Sequence, residues 1–184
     1  MEIVSLAIEG GSFMAKWVPK FIARRVFTVE KLGSQISLSL RSQAPLHVSG
    51  NPKVLSLWFT LVNQSSLDLR IDRISVEAWF GQPTAMFSSL VPVDVPRRSQ
   101  ITDIRVATVL SEDLAAYAKS VAEMPNGYLW IYVTMMCKTS VREFMLTHRF
   151  EREAREAKFD GIVPRRVVYE PWPSAGSRLA GYDG

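Results

Sequence analysis

Cysteine and histidine are scarce in this sequence of 184 residues, which has one cysteine and two histidines. The lone Cys137 excludes an internal disulfide framework and a multi-cysteine zinc site. It ends an apolar run, residues 130–137, in which a thiol is expected to be a small buried hydrophobic group. His47 and His148 have no neighbours in sequence that complete a metal-binding motif, so we predict a structural or solvated role for each.

Catalytic and nucleotide-binding motifs are absent as well. The sequence has no nucleophile elbow with an oxyanion-forming glycine turn. Gly10 and Gly11 are not followed by the lysine and hydroxyl pair of a phosphate-binding loop. The neighbouring acids Glu112 and Asp113 fit the first turn of a helix, where the helix dipole favours negative charge. We therefore predict a protein that is not an enzyme, with no catalytic residue, cofactor or metal.

Long apolar runs are also missing. No run approaches the roughly 18 residues that a transmembrane helix needs. The apolar stretch at residues 1–8 is short and contains Glu2, and no basic leader precedes an apolar stretch as it does in a secretory signal. These observations predict a cytoplasmic protein.

Positive charge is concentrated near the N-terminus. The net charge of +4 arises from 22 basic and 18 acidic residues. Residues 10–29 contain four basic side chains and no acidic one, and the charges elsewhere largely cancel. Nucleic-acid-binding proteins display a broader positive surface, so no nucleic-acid partner is predicted.

The basic residues belong to a segment, residues 13–27, whose apolar and polar side chains separate at the helical period. Pro19 kinks this helix or divides it into two short pieces. The apolar face can cover an end or an open edge of the domain, lie in an anionic membrane interface, or dock on a partner helix. The residues predicted to contact a membrane or a partner are Lys16, Trp17, Lys20, Phe21, Arg24 and Arg25.

Alternating apolar residues predict β-strands through the centre of the chain. The first strand covers residues 36–40. Two longer strands, residues 54–62 and 67–80, are predicted to form a β-hairpin around the polar corner at residues 63–66. In the second arm the apolar positions change from odd to even at residues 72–73, which predicts a β-bulge because one extra residue reverses the side-chain parity.

The second half of the sequence predicts three more strands and two helices. Strands are expected at residues 101–110, 128–138 and 141–150, of which the second is buried on both faces and pairs with the third as a hairpin. Ser111 is expected to cap a helix over about residues 111–123. The charged run from residue 151 onwards predicts a short C-terminal helix.

Three tryptophans, Trp58, Trp79 and Trp130, recur within the predicted strands. Packing in the core or between sheets is the expected role of such large side chains. A platform that faces a ligand is the alternative.

The order of elements resembles the late-embryogenesis-abundant type 2 family, whose unit is also called the WHy domain. The matching features are the strand motif from Leu57 to Asn63, the polar corner after it, the apolar spacing of residues 69–76, and the Val-Pro-x-x-Ser piece from Val95 to Ser99. The resemblance covers about residues 35–151. It implies an immunoglobulin-like antiparallel β-sandwich that serves binding or protection, with no catalytic residues.

The sequence thus predicts three parts. Residues 1–34 are an N-terminal amphipathic segment, residues 35–151 are a mainly β sandwich domain with one inserted helix, and residues 152–184 are a charged helix and tail. We predict a non-enzymatic binding module for a protein partner or an anionic membrane surface, peripheral to the membrane through its basic N-terminus. The alternative is a structural subunit of a homo-oligomer or larger complex, assembled through the N-terminal helix and the C-terminal tail.

Overall fold

The fold is mainly β, with two five-stranded sheets and three α-helices in the residues that the structure describes. The structure is a computed structural model, and it describes residues 20–42 and 44–164. The helices are α1 (Lys20–Val26), α2 (Val29–Ser34) and α3 (Glu112–Ala122). The strands are β1 (Ile36–Leu40), β2 (Leu46–Ser49), β3 (Val54–Asn63), β4 (Leu69–Phe80), β5 (Gln82–Ser89), β6 (Val93–Val95), β7 (Ser99–Val109), β8 (Tyr128–Lys138), β9 (Glu143–Glu153) and β10 (Lys158–Phe159).

The first sheet is built around β3. Along one side β3 pairs antiparallel with β1 and β2 in succession, and along the other side it pairs with β7. The two-residue β10 extends the sheet beyond β2 in a parallel pairing. The register between β3 and β7 shifts between Phe59 and Leu61, where Asp103 of β7 has a positive φ of 59°. This irregularity is a β-bulge in β7, a strand that pairs only with β3 among the described residues.

The second sheet has the strand order β5, β4, β8, β9, and all its pairings are antiparallel. The short β6 pairs with the start of β4, at Leu69–Ile71. It lies on the same edge of β4 as β5, which pairs with the later residues Ile74–Phe80. The hairpin predicted over residues 128–150 is confirmed, because β8 pairs with β9 from Tyr128 to Lys138.

The two sheets pack face to face in a sandwich-like arrangement, and their inward side chains form one hydrophobic cluster. Aromatic contacts join the layers. The rings of Phe59 and Phe150 lie 6.4 Å apart between centroids, and those of Phe80 and Phe159 lie 5.9 Å apart. Because each pair takes one ring from each sheet, these contacts hold the layers in register.

The helix α3 adds apolar residues to this core. Ala115, Ala118 and Val121 are buried in the main cluster. The Ser111 hydroxyl accepts a hydrogen bond from the Leu114 amide at 3.2 Å, so the predicted cap is confirmed.

The predicted hairpin between β3 and β4 is wrong. The two strands belong to different sheets, and residues 64–68 carry the chain from one layer to the other. The corner turns there because the side chain of Asn63 is fully buried and bonds the connecting backbone. Its Nδ2 donates to the Leu67 carbonyl at 2.9 Å, and its Oδ1 accepts from the Ser65 amide at 3.1 Å. Alternation predicted which face of each strand is apolar, but it carries no information on the pairing partner.

The β-bulge predicted at residues 72–73 is confirmed. The register between β4 and β8 shifts between Ile71 and Arg73. Asp72 and Arg73 are consecutively exposed, after which buried residues return on even positions. The bulge therefore keeps both halves of a long strand facing the same core.

The predicted short C-terminal helix is also wrong. Residues up to Glu153 continue β9, and only a 3-10 turn, Ala154–Glu156, follows. Ala154 and Ile162 are buried in the main core, and β10 pairs back onto β2. Burial of these apolar residues against the sandwich outweighs the helical preference of the charged run, so this part of the chain packs with the sheets.

The strand β8 differs from prediction in its burial. Its odd-numbered residues are buried, whereas even-numbered ones such as Trp130 and Tyr132 are partly exposed. One face of β8 therefore lies on the core and the other on the outer surface of the second sheet.

Two short helices precede the first strand. The helix α1 (Lys20–Val26) lies within the predicted segment 13–27, whose residues 13–19 lie outside the described residues. The helix α2 was not predicted. Its start carries a recognisable signal, because the Thr28 hydroxyl accepts a hydrogen bond from the Lys31 amide at 3.2 Å. None of the helices in the described ranges combines the length and hydropathy needed to cross a lipid bilayer.

Candidate functional site

The helix α1 is attached to the sandwich by its apolar side. Ala23 and Phe27 pack against a small cluster of three buried residues. The Arg24 Nε donates to the Val141 carbonyl at 3.4 Å, and the Arg24 carbonyl accepts from the Arg142 guanidinium at 2.6 Å. The residues of that buried cluster are Leu32, Leu67 and Val141.

The residues predicted to contact a membrane or partner are only partly within the described chain. Lys16 and Trp17 lie outside the described residues, and the backbones of Lys20 and Phe21 belong to α1. The side chains of Arg24 and Arg25 are exposed on α1. Of the three interpretations of this segment, the packing of Ala23 and Phe27 favours the one in which it covers an end of the domain.

The two histidines do not share a site. His47 lies on β2 of the first sheet, with its Nε2 at 2.6 Å from Oδ2 of Asp160. His148 lies on β9 of the second sheet and stacks on Phe150, with 6.3 Å between ring centroids. Its Nε2 is buried and has no hydrogen-bond partner among the described residues. Burial lowers the pKa of His148 below its ordinary value.

Stability is expected to fall as the pH decreases below about 6.5, the ordinary pKa of a histidine. Because burial lowers the pKa of His148 in the folded state, the unfolded chain takes up the proton first, and protonation then favours unfolding. Thermal unfolding at about pH 7.5 and about pH 5 should show a smaller drop in Tm for His148→Leu than for the native protein. The same drop in both proteins would contradict this role of His148.

Cys137 is buried, as predicted. Burial raises the pKa of its thiol to about 12, so the thiol stays protonated at neutral pH. It packs as a small apolar group on the inner face of β8. Within the described ranges, no group of three or more histidine, cysteine, aspartate or glutamate side chains is placed to hold a metal ion.

The expected core packing of the three tryptophans is wrong. Trp58, Trp79 and Trp130 are partly exposed and alternate with buried neighbours on their strands. Trp58 lies on the outer face of the first sheet, whereas Trp79 and Trp130 are directly paired on the outer face of the second. The outward orientation of the three tryptophans is the one that the alternative, a platform at the surface, requires.

The outer face of the first sheet carries an arginine–tryptophan cluster, formed by Arg41, Ser56, Trp58 and Arg105. The guanidinium carbons of Arg41 and Arg105 lie 5.8 Å and 5.9 Å from the Trp58 ring centroid. These distances are typical of cation–π contacts. Arg105 also donates to the buried Ser56 hydroxyl from Nε at 3.2 Å and from Nη2 at 2.9 Å. His47 stacks beside the cluster, 6.3 Å from Trp58.

The outer face of the second sheet carries an aromatic–methionine face. Three of its members are large apolar side chains with high exposure, since Met86 is 78%, Met145 62% and Met136 52% exposed. Trp79 contacts Tyr132 edge-on at 6.3 Å between centroids. The face is defined by Trp79, Met86, Trp130, Tyr132, Met136 and Met145.

Sequence reasoning missed the partners of Trp58. Arg41 and Arg105 stand far from Trp58 in the sequence, and the sheet register brings Arg105 directly opposite it. The alternation of side chains along β3 was the signal available in the sequence. Trp58 shares even-numbered positions of β3 with Ser56 and Thr60, whereas the odd positions are aliphatic or phenylalanine.

No protein-family model matches the sequence, and no curated protein matches it. In the comparison with solved structures, 69 chains match. One is a protein from Archaeoglobus fulgidus, which is 10% identical, with 64% of this chain and 91% of that chain covered and a TM-score of 0.46. Another is an X-ray structure of a Northeast Structural Genomics Consortium target, also 10% identical, with 75% and 97% covered and a TM-score of 0.44.

Proposed function

We propose that this chain is a non-enzymatic interaction module that binds a second copy of itself through the aromatic–methionine face. The observation that carries the proposal is that three highly exposed methionines share the outer face of the second sheet with Trp79, Trp130 and Tyr132. Single exposed apolar residues are ordinary, whereas several large ones that share one surface are typical of an interaction site. Tryptophan, tyrosine and methionine are the side chains enriched in such sites.

The charges on the same face favour a second copy as the partner. Arg73 and Arg149 stand there with Glu77 and Glu151, so the face carries charges of both signs. A two-fold interface sets one surface against itself, and it therefore requires a surface that is complementary to itself. Burial of one sheet face against another is also the arrangement by which sandwiches form.

The association state of the full chain tests this proposal. Sedimentation velocity over a range of concentrations should show a reversible dimer of the native protein. In the double variant Met136→Lys and Met145→Lys, the dimer Kd should rise at least about a hundredfold, because like charges would meet across the two-fold axis. The variant should keep the native Tm, since both methionines are exposed.

The matched control places the same charges elsewhere. Val109 and Val163 are 60% and 82% exposed and lie outside the aromatic–methionine face. The double variant Val109→Lys and Val163→Lys should associate like the native chain. A native protein that stays monomeric, or a control that dissociates as readily as the methionine variant, would overturn the proposal.

The finer fold and family assignments are proposals as well. We propose that the sandwich is immunoglobulin-like and that the chain is a distant relative of the late-embryogenesis-abundant type 2 proteins. The support is that two motifs of the resemblance meet, because Asn63 Nδ2 donates to the carbonyls of Val95 at 3.3 Å and Pro96 at 3.1 Å. A crystal structure with Asn63 exposed and remote from residues 95–96 would contradict this assignment.

Contact with an anionic membrane is the second candidate, supported by the exposure of Arg24 and Arg25 on α1. It would involve the predicted residues Lys16, Trp17, Lys20 and Phe21 as well. Flotation with anionic vesicles separates the two candidates. If less of the variant with Lys20, Arg24 and Arg25 reversed in charge floats with the vesicles than of the native protein, membrane contact is supported. Equal amounts of the two proteins with the vesicles would reject it.

A further inference from the structure

The arginine–tryptophan cluster on the first sheet is separate from the face proposed for self-association. Its two guanidiniums come from strands on opposite sides of β3, because Arg105 lies on β7 and Arg41 follows β1. Both lie within cation–π distance of the same indole ring. The cluster thus gathers two permanent positive charges at one exposed point of a sheet.

These charges are not neutralised. In residues 20–42 and 44–164, neither Arg41 nor Arg105 forms an ion pair with a carboxylate. Asp103 lies two residues before Arg105 on β7, and within these described ranges it is not in ion-pair contact with either arginine. Asp160 is engaged by His47 at 2.6 Å and by Lys158 at 3.8 Å. Two guanidinium groups near one indole, with no carboxylate partner in the described ranges, leave positive charge available to an anionic ligand.

The guanidinium of Arg105 is held in place by protein contacts. Two of its nitrogens donate to the Ser56 hydroxyl, which is 4% exposed and belongs to the strand next to β7. The indole supports the same guanidinium from the neighbouring position on β3. Because Arg105 is already ordered, little side-chain entropy is lost when its remaining N–H groups bind a ligand.

We propose that the arginine–tryptophan cluster binds the carboxylate side chains of an acidic protein segment. Arginine recognises carboxylates through two parallel N–H···O bonds, which suits a ligand with several aspartates or glutamates. A nucleic-acid strand fits less well, because it would need free aromatic faces for its bases and a longer basic track for its backbone. Trp58 already has two guanidiniums over its ring, and the cluster is confined to one point.

Fluorescence anisotropy with a labelled oligo-glutamate peptide tests the proposal on the full chain. The native protein should bind the peptide, with an affinity that falls as salt is added. The double variant Arg41→Gln and Arg105→Gln should raise the Kd by at least about tenfold, because it removes both charge-assisted contacts. Trp58→Leu should weaken binding in the same direction, since it removes the ring that supports the two guanidiniums.

The matched control removes the same charge from another exposed pair. Arg97 and Arg98 lie on the turn before β7, and the variant Arg97→Gln and Arg98→Gln should bind the peptide with a Kd within about twofold of the native value. All variants are first checked for an unchanged Tm. Because neither cluster nor control residues belong to the aromatic–methionine face, the native association state should persist in each variant whichever way the peptide result falls.

Three outcomes would overturn the inference. The first is a native protein that does not bind the peptide. The second is an equal loss in the cluster variant and in the Arg97 and Arg98 control, which would indicate general attraction to a basic protein. The third is tighter binding of an oligothymidylate of equal charge or of anionic vesicles, which would assign the cluster to nucleic acid or to a membrane.

Discussion

Replacement of Phe59 by alanine is expected to lower the free energy of unfolding by about 4 kcal/mol, the largest single effect we foresee. Phe59 is 1% exposed and lies on the central strand of the first sheet. Its ring reaches across to Phe150 of the second sheet at 6.4 Å between centroids. Truncation removes buried apolar area and leaves a cavity between two sheets whose paired backbones cannot close around it.

Urea unfolding followed by circular dichroism measures this loss. The midpoint should decrease with little change in the slope, and the Tm should fall by about 10 °C for a chain of this size. The neighbouring substitution Thr60→Ala, on the outer face of the same strand, is the control and should change stability by less than about 0.5 kcal/mol. A loss at Phe59 no larger than that of the control would mean that the two sheets do not share a core there.

Replacement of Asn63 by alanine is expected to cost about 3 kcal/mol. The Asn63 side chain is 0% exposed, and its amide donates to the carbonyls of Leu67, Val95 and Pro96. It also accepts from the amide and hydroxyl of Ser65. Alanine would leave these groups buried without partners, and the cost of each unsatisfied group exceeds the net gain from the bond that it loses.

The variant Asn63→Asp distinguishes a hydrogen-bond role from simple packing. Aspartate has the size of asparagine, but it would set a carboxylate oxygen against the three carbonyls to which Nδ2 now donates. We therefore expect Asn63→Asp to be at least as destabilising as Asn63→Ala at neutral pH. Gln64→Ala, at the exposed next residue, should be close to neutral. An aspartate variant as stable as the native protein would contradict the proposed role of the amide.

The alternation of side chains was the part of the fold that the sequence encoded most directly. It located β1, β3, β4, β7, β8 and β9, and the shift of parity at residues 72–73 located the bulge. The alternation could not predict that β3 pairs with β7 rather than with β4, because a hairpin and a crossing between sheets present the same alternation. What decides between them is the buried amide of Asn63 and its bonds to residues distant in the chain.

The candidate sites were less predictable than the fold. The size of Trp58 suggested that it packs in the core. Its even-numbered position, shared with the polar residue Ser56, indicated the outer face instead. Arg41 and Arg105 could not be assigned to it from sequence, since only the tertiary register brings them together. The methionines of the second sheet belong to three different strands, so no local motif joins them.

The bulge at Asp103 bears on how large an assembly of this chain can grow. A straight, open strand edge offers its backbone to another copy, and such edge-to-edge growth repeats without limit. In β7 the left-handed Asp103 breaks the ladder in mid-strand, and the exposed charges of Asp103 and Arg105 stand beside the break. Addition of another copy at this edge is thereby discouraged, which leaves the proposed face-to-face contact through the other sheet without competition from β7.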